Sequence, residues 1–204
     1  MSETNIQDQK ELFLKLEFFM LSWEAAVQQR NREQKLFKDN ISDKKKNEFK
    51  YKLFMSTEGI LKNYKENKVN SNVHHENLFK VHNFISKEKE IFADDSYAYN
   101  YSTVQKYFNM MCKYYWCAGF IKEPPELPID SINLSKIGIK DSWTKKIIKK
   151  SDYEKMIENF CSNECVLSES SLAVWELKNW NRRQFNGQKK EGELMDVIRC
   201  DEKE

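Results

Sequence analysis

The chain has 204 residues, of which 40% are hydrophobic and 32% charged, with only 5 glycines and 3 prolines. That composition excludes an all-β fold, which needs many more turn residues, and describes amphipathic helices with solvated outer faces around one core. A formal net charge of +2 excludes wholesale, non-specific nucleic-acid binding.

Apolar residues Leu12, Leu16, Phe19, Met20, Trp23 and Val27 recur at helical spacing and predict a first helix over residues 6–34. Phe13 and Phe18 widen its stripe, so it should pack against more than one neighbour. Ser42, within a polar break at 40–43, predicts the start of a second helix running to about residue 68. After the break Asn70, Ser71 and Asn72, a third helix over 73–92 carries all three histidines, His74, His75 and His82. These read as surface or core-edge histidines, with His82 able to turn a polar group toward the next helix. A tyrosine-rich linker over 94–102 leads to a fourth helix, capped by Ser102 or Thr103 and stopped at Gly119.

Pro124, Pro125 and Pro128 then force extended backbone, and Asp130 closes the loop as a cap for the next element. Ile132, Leu134, Ile137 and Ile139 fit either a short strand or a loosely wound turn. Asp141 or Ser142 starts a short helix bearing Trp143 among five lysines, either a solvated face with the indole tucked inward or a nucleic-acid contact. A further helix over 151–164 and a last one opened by Ser168 complete the reading. The fold class is therefore all-α: a single multi-helix bundle with a central aromatic helix and a proline-rich loop. One domain spans 1–186, its N-terminal helices (5–68) packed on a core of 73–186. The mixed-charge tail 187–204 is expected to fray.

The five cysteines are an odd, widely spaced set without a leader segment, which predicts reduced thiols in a cytoplasm. Cys161 and Cys165 lack two further ligands for a metal and are expected to be core or half-buried thiols. The apolar run at 12–21 is interrupted by Lys15 and Glu17 and is too short to cross a bilayer, so no membrane is expected as a partner. No glycine-rich phosphate loop, GxSxG, HExxH or CxxC motif occurs. No arginine is followed by histidine at the spacing of the helical ribonucleases.

The fourth helix concentrates the chemistry. Lys106, Asn109 and Lys113 follow i, i+3, i+7 spacing, with Gln105 four residues before Asn109, among large apolar neighbours. Such a stripe either faces water, or is tied to carboxylates such as Glu76 or Asp130, or lines a cleft for an anionic group.

Gln105-Lys106, Asn109, Lys113-Tyr114, Trp116-Cys117, Gly119, Pro124-Pro125, Pro128-Ile129-Asp130, Trp143-Thr144 and Trp175-Glu176-Leu177 form an ordered series over roughly residues 75–180. The series resembles an uncharacterised family of bacterial and phage-borne helical proteins whose function is unknown. The resemblance implies a helical fold and a bacterial or phage-infected host cytoplasm. Glu126-Leu127 stands where such relatives often carry His-Cys, so it implies no metal or thiol chemistry in this loop.

The expected function is a non-enzymatic binding module for an anionic ligand, a nucleotide or nucleic-acid backbone. Gln105, Lys106, Asn109, Lys113, Trp116, Asp130 and His82 are its candidate ligand-binding residues, and no cofactor is implied. An alternative is a protein–protein interaction factor in phage defence or counter-defence, or a homo-oligomer, using Phe13, Phe18 or the N-terminal helix. A third is a nuclease-like enzyme with Asp130 and His82 as polar participants.

Overall fold

The structure, a computed structural model, describes residues 3–28, 35–94, 96–140 and 142–180. Among these residues there are ten α-helices and no strands, so the chain has an all-α multi-helix fold. The expected fraying tail, 187–204, lies outside the described residues.

Helix α1 (Glu3–Val27) lays Phe19, Trp23 and Ala26 against the middle of the molecule. Helix α2 (Asp43–Leu61) starts at Ser42, whose side chain accepts from the Lys45 amide, and is followed by the short α3 (Asn63–Glu66). Helix α4 (Ser71–Lys87) is capped by Asn70, which accepts from the Val73 amide, and ends in a 3-10 turn, Lys89–Ile91. The expected second and third helices are thus each broken one turn before their ends. A single antiparallel bridge joins Phe37 to Phe92.

Helix α5 (Tyr101–Cys117) is central: 12 of its residues are buried, and it packs against α1, α4 and two later helices. Its rings interlock with the rest of the core, Tyr107 standing edge-on to both Phe19 and Trp23. The helix ends as its sequence demands. Gly119 takes φ +75°, the Phe120 amide reaches back to the Tyr115 carbonyl at 2.8 Å, and the Gly119 amide to Trp116 at 2.9 Å. Phe120 also packs edge-on against Tyr115, which completes the hydrophobic half of this Schellman stop.

The proline segment buries Leu127 and Ile129. Of the four isoleucines and leucines after it, Ile132 and Leu134 lie in helix α6 (Ser131–Lys136), while Ile137 and Ile139 flank the turn at Gly138, φ +80°; none forms a strand. Asp130 caps α6, its Oδ1 accepting from the Ile132 and Asn133 amides at 3.0 and 3.1 Å. Helices α7 (Trp143–Lys146), α8 (Lys150–Cys161), α9 (Glu164–Leu167) and α10 (Leu172–Lys178) close the bundle. The last helix opens at Ser171 rather than Ser168, because α9 takes up the preceding residues. Cys161, the last residue of α8, and Cys165 on α9 are exposed rather than core or half-buried, while Cys112 on α5 is buried.

Candidate functional site

Successive residues of an α-helix turn by about 100°, so Gln105, Asn109, Lys113 and Lys106 fan out in that order over an arc of about 100°, with the two lysines along one edge. The helix therefore presents two polar faces, and their surroundings differ completely.

The first face is sealed. Gln105, Asn109 and His74 are fully buried and Asn77 nearly so, so their polar atoms need protein partners. They find them in a directional chain. Asn77 Nδ2 donates to the Tyr64 hydroxyl (3.3 Å), which lies 3.0 Å from His74 Nδ1. His74 Nε2 lies 2.8 Å from Asn109 Oδ1, and Asn109 Nδ2 donates to the Tyr153 hydroxyl at 2.9 Å. Tyr153 in turn donates to Glu126 Oε2 at 2.5 Å. Because Asn109 turns its amide hydrogens toward Tyr153 and Gln105, its oxygen must accept, so His74 carries its proton on Nε2 and accepts from Tyr64. Burial also pushes the His74 pKa down, so this imidazole is neutral.

Gln105 finishes the network by treating the proline loop as a strand edge. Its Nε2 donates to the Ile129 carbonyl at 2.7 Å and its Oε1 accepts the Ile129 amide at 3.0 Å. Asn133 Nδ2 holds the neighbouring Pro128 carbonyl at 2.9 Å. Backbone that its prolines prevent from pairing regularly is thus satisfied by side-chain amides.

Glu126 sits at the end of the chain, fully enclosed. Its Oε1 lies 2.6 Å from His75 Nε2, whose other ring nitrogen is 3.4 Å from Glu154 Oε1. The first contact is a close charge contact rather than a well-aligned hydrogen bond. Burial alone would raise the Glu126 carboxyl, but the His75 cation and the Tyr153 hydroxyl, with the protonated Nε2 edge of neutral His74 3.7 Å away, outweigh it and bring the pKa below its ordinary value. Burial likewise lowers His75, yet the Glu126 carboxylate and, behind it, Glu154 leave that imidazole above its usual range. With His74 neutral, the cation facing Glu126 is His75.

The second face opens on a pocket. Lys106, Met110 and Lys113 of α5 line it together with Asp130, Glu176 and Trp180, and its volume is about 160 Å³. Lys113 is buried with Glu176, its Nζ lying 2.6 and 2.8 Å from the two carboxylate oxygens and 5.5 Å from the centre of the Trp180 ring. Lys106 Nζ is 3.7 Å from Asp130 Oδ2 and 5.2 Å from the centre of the Trp143 ring. Trp143 is itself buried, so the lysine-rich segment tucks its indole inward rather than offering it for stacking.

The candidate residues therefore divide. Lys106, Lys113 and Asp130 meet at the pocket; Gln105 and Asn109 belong to the sealed network and do not face water. Trp116 is half-buried against the core, and neither it nor His82 lines the pocket. His82 packs on Tyr101 and Phe79, while Asp130 is engaged at α6. His74 is not at the core edge but fully inside. Glu176, not Glu76, is the carboxylate that holds Lys113. Sequence reasoning missed Glu126, His75, Tyr153 and Glu176 as network members. The one available signal was a carboxylate flanked by apolar residues, in Glu126-Leu127 and in Trp175-Glu176-Leu177.

Among the described residues, no group of three or more His, Cys, Asp or Glu side chains is placed to hold a metal ion, and no helix is long and apolar enough to cross a membrane. No family model, curated protein or solved structure matches this chain.

Proposed function

We infer that the chain is a binding module without catalytic chemistry of its own, and that its pocket takes one anionic group of a small ligand. The observation that carries this reading is the convergence of Lys106 and Lys113, two turns apart on α5, on a single pocket rimmed by Trp180, which is 51% exposed. The volume admits a phosphate or carboxylate, so a flat ring attached to it would lie outside, against the Trp180 indole. A nucleoside monophosphate has this chemistry. A nucleic-acid strand fits less well, because Asp130 and Glu176 alternate with the lysines and repel a continuous row of phosphates.

Lys106 lines the pocket with its ammonium 3.7 Å from Asp130 Oδ2, so an incoming anion would share that ammonium with the carboxylate. Lys113 lines the pocket paired with Glu176. The sealed network supports the pocket indirectly by fixing α5 and the backbone on either side of Asp130.

Titration calorimetry with nucleoside monophosphates, set beside a single-stranded oligonucleotide, tests the reading. Micromolar to millimolar binding of the monophosphate is expected, lost by at least tenfold in Lys106→Ala and weakened in Trp180→Ala, with the circular dichroism spectrum unchanged. Binding that survives Lys106→Ala, or no binding by any monophosphate at millimolar concentration, overturns it.

A further inference from the structure

Helix α1 turns Phe19, Trp23 and Ala26 into the core, yet its opposite side is not the charged surface expected of an outer face. Ile6, Phe13, Leu14 and Leu21 are exposed there, Phe13 by 62%. Lys10 and Glu17 are exposed beside them. At about 100° per residue these six positions fall within one arc roughly 100° wide, four apolar residues with one charge of each sign, and Glu24 follows in the same arc about one turn beyond Leu21.

The order of those residues is a palindrome. Counted outward from the bond between Phe13 and Leu14, the strip reads Phe13 and Leu14, then Lys10 and Glu17, then Ile6 and Leu21. Two such helices laid antiparallel about a two-fold axis at that bond bring Phe13 level with Leu14, Lys10 with Glu17 and Ile6 with Leu21 of the other copy, each pairing made twice. A closed two-fold interface requires this self-complementarity, whereas a contact with an unrelated surface does not. A lipid surface is a poorer match, since Glu17 and Glu24 lie exposed on the same side and anionic headgroups would repel them.

We propose that the outer face of α1 is the interface of an antiparallel homodimer in register about the Phe13–Leu14 bond. The matched segment is about 24 Å long, short for an interface resting on one helix, so association in the micromolar range is expected. Of α1 only Ala25, one turn beyond the matched segment, lines the pocket, so ligand binding and dimerisation can fail separately.

Sedimentation velocity of the full chain between about 1 and 200 µM tests the dimer, and charge exchange tests its register. Lys10→Glu alone and Glu17→Lys alone each place like charges together and should weaken association by about tenfold or more. The double variant Lys10→Glu/Glu17→Lys should dimerise like the wild type, and an equimolar mixture of the two single variants should form a heterodimer. Phe13→Asp should be monomeric with unchanged helical content. A wild-type chain that stays monomeric, a Phe13→Asp dimer, or single charge variants that associate as tightly as the double variant would each overturn the proposal.

Discussion

The two polar faces of α5 each set a cationic nitrogen against a carboxylate, His75 on Glu126 and Lys113 on Glu176, and reach opposite ends. Around Asn109 each donor meets an acceptor at hydrogen-bond distance with the side chains out of water, and the arrangement tolerates a single tautomer of His74. At the pocket, on the neighbouring flank of the helix, Lys106 lies beside a ring and a carboxylate in a cavity that a ligand can enter. Polar residues in an apolar helix therefore carry no functional meaning by themselves. What separates scaffold from candidate site is whether water can reach the group and whether its partners hold it in one geometry.

Substitution should divide the two faces sharply. The largest effect is expected from Glu126→Ala, which leaves His75 and the Tyr153 hydroxyl without their buried partner and should cost about 3–5 kcal/mol in denaturant unfolding. A loss below about 1 kcal/mol, typical of exposed pairs, would erase the distinction between the faces. Next comes Lys113→Met, which strands the Glu176 carboxylate and should cost about 3 kcal/mol, whereas Lys113→Met/Glu176→Leu should recover most of that loss. A double variant as unstable as the single one would show that the pair contributes beyond charge compensation.

The smallest expected effect is on the pH profile. Glu126 is depressed, so its contribution is complete above the unfolded carboxylate pKa of about 4.3 and is lost as pH falls through the lower folded value. His74, also depressed, withdraws stability as pH falls below about 6.5. His75 is raised and acts oppositely, its contribution being complete below about 6.5 and lost as pH rises through its folded value. Glu126→Gln should flatten the decline between about pH 5 and 3 in thermal unfolding, because the variant has no carboxylate there to protonate. An unchanged acid limb would place that decline elsewhere in the molecule.

The parts of the fold legible in the sequence were those set by one residue and its immediate neighbours. Gly119 marked a left-handed stop, Ser42 and Asn70 marked helix starts, and Asp130 marked a cap, all of which need only local backbone chemistry. The division of α5 into two faces was not legible. Lys106, Asn109 and Lys113 share a stripe by spacing, but the side chains of His74 and Tyr153 close over Asn109 alone. Those partners lie 35 and 44 residues away along the chain, and local periodicity cannot choose among the residues at such separations. The short helix α6 was missed for a different reason: its 6 residues are too few to display a helical period.

The Lys113–Glu176 pair spans 63 residues, from the middle of the chain to near the end of its described part. That separation has a consequence for the order in which the molecule is assembled. When α5 first emerges from the ribosome, Lys113 has no carboxylate to meet, and its ammonium must remain hydrated. The pocket side of α5 therefore stays wet until α10 has been synthesised and docks, while the side packed on α1 can close early. The bundle is locked by a charge that waits for its partner.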